Sequence, residues 1–175
     1  MSQTFRIVPA RAATIWTLGV IVAFLLILAA ALLFLSAGHR PSWMFLGLPI
    51  IAAAVLFGYI AHSTRHVSFD LSPSGLRIRG DMYGRFIPVA SLLPSEAKAI
   101  DLRSDGGDEL TLRTNGIGLA GYQSGWFRLV NGQKALVFLT ERDRAIFLPT
   151  RDGYSLLLSP QEPDAFLAAL KKMPS

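Results

Sequence analysis

The feature that most limits what this chain can fold into is a long stretch without charge. Between residues 12 and 39 there is no Asp, Glu, Lys or Arg, and residues 14–34 are almost wholly apolar. At about 1.5 Å of rise per residue, a helix of that length spans the roughly 30 Å hydrocarbon layer of a bilayer. A secretory signal peptide has an apolar region of only about 7–15 residues, so the run is too long for one. A second uncharged run follows Arg40, with residues 43–60 as its apolar centre. Pro49 within it is costly in a soluble helix but tolerated as a kink in a membrane helix. The pattern predicts an N-terminal segment over residues 1–12 and a transmembrane hairpin over 13–62, with helices at about 13–36 and 43–62. Trp16, Trp43 and Tyr59 stand near the ends of these runs, where amphipathic rings favour the headgroup region.

Orientation follows from the cations, because Lys and Arg close to the spans tend to stay cytoplasmic. Arg6 and Arg11 precede the first run, Arg65, Arg77 and Arg79 follow the second, and the hairpin tip holds only Arg40 beside His39. Both termini and the soluble part are therefore expected in the cytoplasm. Small residues such as Gly19, Ala29, Ala30, Ala31, Ala52, Ala53 and Ala54 suit close helix packing, either between copies or within the hairpin.

All 12 acidic residues lie at or beyond Asp70, and from Arg65 onward they face 14 of the 17 basic ones. The basic pI thus comes mostly from the flanks of the apolar runs. The near balance beyond them excludes the dense Lys/Arg stripe that a nucleic-acid surface requires. With no cysteine, disulfides, thiol nucleophiles and thiolate metal sites are excluded together.

Beyond residue 65 the pattern changes to short apolar runs separated by turn residues. Strands are predicted at 67–72, 76–80, 85–89, 97–102, 109–114, 125–130, 134–140, 145–150 and 154–159, with Asn131-Gly132 and Asp152-Gly153 as strong turn dipeptides. Such spacing predicts a barrel or a sandwich. The last segment alone is helical, with Phe166, Ala169, Leu170 and Met173 on one stripe. Ser159 and Glu162 have the spacing of a capping box, and Pro160 and Pro163 fit only a first turn.

The run 113–127, followed by 137–140, 146–150, 153–159 and 163–170, resembles the bacterial PH-like (pleckstrin-homology-like) domain family, many members of which are tethered by membrane helices. The likeness covers about residues 65–173. It implies a mainly β PH-like barrel or sandwich with a C-terminal amphipathic helix, placed after two N-terminal transmembrane helices over residues 65–175. It further implies a bacterial inner-membrane adaptor or regulatory module, and it brings no catalytic residues.

Candidate sites are few. Gly116-Ile117-Gly118-Leu119-Ala120-Gly121 has the letters of a dinucleotide fingerprint, but that mechanism needs a helix to follow, and Tyr122, Gly125, Trp126 and Phe127 are strand and turn chemistry. A glycine-rich surface loop is expected instead, with Gly116, Gly118, Gly121, Tyr122 and Trp126 as candidates for a partner contact. Trp126 and Phe127, being adjacent in a strand, point to opposite faces, so one is core. Arg77 and Arg79 alternate with apolar neighbours, share a face and are candidates for lipid contact. Asp105, Asp108 and Glu109 fall short of the six or so oxygen ligands, at least, that calcium needs. His39, His62 and His66 all lie at or near the membrane runs, so a Ser-His-Asp arrangement in the soluble part would have to recruit His66 from its edge or His62 from the membrane boundary. No catalytic, cofactor or metal residue and no small-molecule substrate is identified.

The chain therefore reads as a noncatalytic membrane-tethered module whose partners are the bilayer and a membrane protein or its own copy, without nucleic acid. The alternatives are an anionic-lipid-sensing surface module and a membrane-bound enzyme of unidentified class.

Overall fold

The computed structural model describes residues 2–36, 44–103 and 110–173. The chain divides into two units, one of residues Arg11–Ser63 and one that joins Met1–Ala10 to Thr64–Ser175.

The first unit is a pair of helices, α1 (Ala12–Ser36) and α2 (Met44–His66), the second with Pro49 inside it. Both are long and apolar enough to cross a membrane, with mean hydropathy of 2.9 over Ala12–Phe34 and 1.5 over Gly47–His66. Large apolar side chains stand exposed around them, among them Val20, Phe24, Ile27, Phe34, Leu48 and Val55. A helix that is apolar all round suits lipid, whereas a surface helix keeps one polar face. Ala29 and Ala54 are buried, and Gly47 lies against Leu33, so small residues bring the two helices together. The expected hairpin tip, with His39 and Arg40, lies outside the described residues, as does Trp43.

The second unit is built from two sheets and a helix. The four-stranded sheet runs in the order β1 (Gln3–Arg6), β2 (Ser68–Ser72), β3 (Gly75–Arg79), β4 (Phe86–Pro88), each neighbour antiparallel. Alternation places Phe69, Leu71, Leu76, Ile78 and Ile87 in the core and sends Arg77 and Arg79 outward. The strand β1 is a departure from the expected flanking segment. Thr4 pairs with Asp70 and Phe5 with Phe69, and the Ile7 amide donates to the Val67 carbonyl at 3.0 Å. Ile7 is itself 1 % exposed.

The six-stranded sheet comprises β5 (Lys98–Ile100), β6 (Leu110–Leu119), β7 (Tyr122–Leu129), β8 (Lys134–Leu139), β9 (Ala145–Pro149) and β10 (Tyr154–Leu158), in the order β5-β9-β10-β8-β7-β6. The pair β8 and β10 is parallel because the hairpin of β9 and β10 folds back between β5 and β8. Both faces of this sheet are apolar. One carries Ile100, Phe127, Leu129, Ala135, Val137, Leu139 and Leu157, the other Leu136, Phe138, Leu148, Leu156 and Leu158, all buried. The two sheets form an open sandwich.

The helix α3 (Pro163–Lys171) buries Phe166 and Leu170. The Phe166 ring meets Phe5 edge-on at 5.1 Å and Phe69 at 5.9 Å, so α3 closes the end of the sandwich where β1 and β2 lie. The expected capping box does not form. Ser159 is buried and its hydroxyl donates to the Glu141 carbonyl at 2.9 Å, while Glu162 occupies the N-cap without a side-chain cap. Pro163 takes the first helical position, and Pro160 lies outside the helix in a bridge to Ile7. Sequence spacing alone could not show that the edge of β1 would claim this segment.

Candidate functional site

The glycine-rich stretch is strand rather than surface loop. Gly116 and Gly118 lie within β6, and the turn into β7 is only Ala120 and Gly121, with Gly121 at φ +79°. No helix follows, so the geometry that holds a pyrophosphate is absent from this stretch. Gly116 is paired with Gly125, which sits at φ +110° in the middle of β7. A Cβ on Gly125 would lie 2.6 Å from the Asn115 carbonyl oxygen and 3.1 Å from the Tyr83 ring. The bare backbone here is what lets the loop between β3 and β4 lie down on the second sheet.

Hydrogen bonds of Tyr83, Asn115, Tyr122 and Asp81 fasten that loop. Tyr83 donates its hydroxyl to Asn115 Oδ1 at 2.9 Å. The Tyr122 ring is fully buried and its hydroxyl donates to Asp81 Oδ2. The other oxygen of Asp81 accepts the Tyr83 amide at 2.8 Å. Tyr122 is thus a packing residue with a satisfied polar tip. Arg85, at the end of the loop, places its guanidinium 4.9 Å from the centre of the Trp126 ring.

Of the sequence candidates, Trp126 occupies the most informative position. Phe127 is the core member of the adjacent pair and Trp126 is half-buried. Its ring meets Tyr154 edge-on at 5.1 Å. Together with Thr114, Asn115, Arg128, Gly132, Gln133, Lys134, Asp152 and Gly153, these two rings line an open cleft of about 690 Å³. Strand register explains the gathering. Arg128 pairs with Lys134 across β7 and β8, and Lys134 pairs with Tyr154 across β8 and β10, so the three side chains share one face of the sheet. Burial, helped by Asp152 and opposed by Arg85, raises the Tyr154 phenol above its ordinary 10.0.

The lipid-contact candidates lie on the other sheet. Arg79 is 3.0 Å from Asp70 Oδ2, and Arg77 lies over the Phe86 ring at 5.0 Å, with both guanidinium groups on the exposed face. The structure therefore separates the two sets of candidates. It brings Trp126 to a cleft with Arg85, Arg128, Lys134 and Tyr154, which sequence reasoning did not select. A signal for part of this was present, since Trp126 and Arg128 alternate on one strand and the Asn131-Gly132 turn sets Lys134 opposite Arg128. The calcium reading of Asp105, Asp108 and Glu109 lies outside the described residues. Among the described residues no group of three or more His, Cys, Asp or Glu could hold a metal ion.

No curated protein and no solved structure matches the chain. A family model described as a bacterial PH domain matches residues 67–173, which span β2 to α3 and most of the length of the chain. By that match, and by the open sandwich closed with a C-terminal helix, the chain belongs to the bacterial PH domain family.

Proposed function

We propose that this protein is a noncatalytic adaptor whose two apolar helices cross a membrane as a hairpin and hold the PH domain at the cytoplasmic surface, where it binds a membrane-protein partner or another copy of itself. The observation that carries this reading is the pairing of β1 with β2. The chain leaves the sheet after Ile7, runs through both apolar helices and returns at Val67, with the Ile7 amide bonded to the Val67 carbonyl at 3.0 Å. A segment whose two ends are fastened to each other crosses a bilayer an even number of times. Arg6, Arg11 and Arg65 flank the helices at those ends, the arrangement favoured on the cytoplasmic side.

A PH domain is generally a binding module rather than a catalyst, and the family match supports that class here. A tether of this kind raises the local concentration of a domain near membrane partners, so a weak intrinsic affinity suffices. Trp126, half-buried beside an open cleft, has the character of an interface anchor.

Crosslinking of the full-length protein in intact membranes, followed by affinity recovery, tests the reading. The expected result is a discrete crosslinked species, with a partner or with a second copy, that is weakened by Trp126→Ala while the variant stays folded. Recovery of uncrosslinked protein alone would overturn the adaptor role. Because the chain has no cysteine, Ser2→Cys and Ser95→Cys can report topology separately. Both should react with a membrane-impermeant maleimide only after the membrane is opened, and reaction of either in intact cells would reject the cytoplasmic placement.

A further inference from the structure

The outer strand of a sheet offers main-chain groups to any further strand, and such edges are commonly blunted by proline, lysine or a bulge. Three of the edge strands here follow that rule. The strand β4 carries Pro88, β5 is three residues long and starts at Lys98, and the register of β6 shifts along its pairing with β7. The remaining edge, β1, has no proline, lysine or bulge. Because the Ile7 amide bonds to the Val67 carbonyl, alternation turns the main-chain groups of Gln3 and Phe5 toward β2 and those of Thr4 and Arg6 toward the open side. Part of that side is covered by the chain itself. The Arg6 carbonyl accepts the Gln161 amide and the Val8 amide donates to the Ser159 carbonyl, both at 2.9 Å. The cover ends where Pro163 starts α3. Among the described residues no strand continues it, so the Thr4 N–H and C=O and the Arg6 N–H face a place where a strand could lie.

Room for that strand is present. A groove of about 770 Å³ runs between Gln3, Thr4 and Phe5 on one side and α3 on the other, from Glu162 at the N-cap of the helix to Lys172 at its C-cap. The helix presents Ala165 and Ala168 to it, both exposed, so no long side chain fills the space between them. The surface is complementary to itself. When two copies of β1 lie antiparallel with Thr4 opposite Thr4, Gln3 meets Phe5 and Ser2 meets Arg6, and no like charges stand opposite each other. The same two-fold rotation reverses α3 against α3, which turns Glu162 of each copy toward Lys172 of the other. A register centred on Arg6 would oppose two arginines and call on a carbonyl already bonded to Gln161.

We propose that β1 pairs edge to edge with β1 of a second copy, Thr4 against Thr4, joining the two four-stranded sheets into one continuous sheet about a two-fold axis. The two Thr4 residues exchange main-chain hydrogen bonds, and each Arg6 amide donates to the Ser2 carbonyl of the other copy. Because β1 ends at Arg6 and α1 begins at Ala12, anchoring in a common membrane raises the local concentration of the two edges, so a short contact suffices. The inference rests on the self-association half of the adaptor reading, and its site lies outside the residues matched by the family model.

The test uses the full-length protein in isolated membranes under mild oxidation, with cysteines placed in a chain that has none. Directly opposed residues of a hydrogen-bonded strand pair stand about 5.5 Å apart at Cα, within reach of a disulfide. Thr4→Cys should therefore give a crosslinked dimer. Ser2→Cys and Arg6→Cys should not crosslink when present singly, because roughly 14 Å of strand separates each from its own copy; a chain carrying both should. With Thr4→Cys in place, Glu162→Lys and Lys172→Glu should each slow crosslinking about fivefold, as expected when symmetry-related surface pairs become repulsions, and the two together should restore it. The urea midpoint of each variant is read alongside, and where it falls the cysteine register alone decides. No dimer from Thr4→Cys, or equal yields from every cysteine position with the distant Ser95→Cys included, would overturn the edge pairing. A dimer that depends on Trp126 but is indifferent to the cysteine register would overturn it as well and leave the adaptor reading standing. A Thr4→Cys disulfide to a different protein would reject the second copy in favour of a partner's strand.

Discussion

In the four-stranded sheet Arg79 has Asp70 and Arg77 has the Phe86 ring, whereas in the six-stranded sheet Arg128 and Lys134 face each other beside Tyr154. The two sheets are also assembled differently. The first closes by recruiting β1 from the far side of both apolar helices, while the second is made from consecutive segments of a single stretch. The comparison separates two uses of similar side chains. In the first sheet the arginine side chains are matched within the sheet and the closing strand comes from a remote part of the sequence; in the second the fold is complete with charge left over. A functional surface is better sought where interactions remain unmatched than where arginines are merely exposed.

Three measurements would break or sharpen this contrast. The largest effect is expected at Ile7, which lies outside the family match yet is buried at 1 % exposure and bonded to Val67. Replacing it by Ala should cost about 2–4 kcal/mol, read as a lower urea midpoint of the β-sheet signal of the full-length protein. A change within about 0.5 kcal/mol, the usual range for an inconsequential surface substitution, would mean that β1 is not integral to the sheet.

A smaller effect is expected in the second sheet at alkaline pH. The Tyr154 phenol is raised above 10.0 in the folded protein, chiefly by burial and then by Asp152. Its contribution to stability is full below the unfolded value and is lost as pH rises through the folded one. The melting temperature should therefore fall more steeply above pH 10.0 in the parent than in Tyr154→Phe, and parallel curves would show that the phenol is not buried in solution.

The smallest effect is expected for Arg79→Gln. Its ion pair with Asp70 is largely exposed on the arginine side, and such pairs contribute about 0.2–1 kcal/mol, less in salt. A loss well above that range, or one that persists at high ionic strength, would mean that the matching in the first sheet is more than a surface contact.

Much of the architecture was legible beforehand because the relevant signals are local. Most strands from β2 to β10 fall close to their expected positions, since alternation and turn dipeptides act over a few residues, as at Asn131-Gly132 and Gly132 with φ +83°, but β6 runs on to Leu119 and β7 begins at Tyr122, beyond the expected ranges. Trp126 and Phe127 divide between cleft and core as strand geometry requires. The glycine run was legible as a need for bare backbone but not as a strand. The reason for Gly125 is the Tyr83 ring, brought by a loop more than thirty residues earlier in the chain. Ser159 and Glu162 illustrate the same limit, because a local cap was displaced by pairing between the segment around Pro160 and Ile7.

By itself the sequence determined two apolar helices long enough to span a bilayer, an alternating β domain with a terminal amphipathic helix, and its kinship with PH domains. These follow from hydropathy, periodicity and turn chemistry, which are written residue by residue. Only the tertiary structure decided that residues 3–6 complete the first sheet and that Tyr154 joins Trp126, Arg128 and Lys134. Those outcomes depend on which strands pair and in what register. Pairing free energy is shared between segments far apart in the chain, so no single stretch of sequence specifies it.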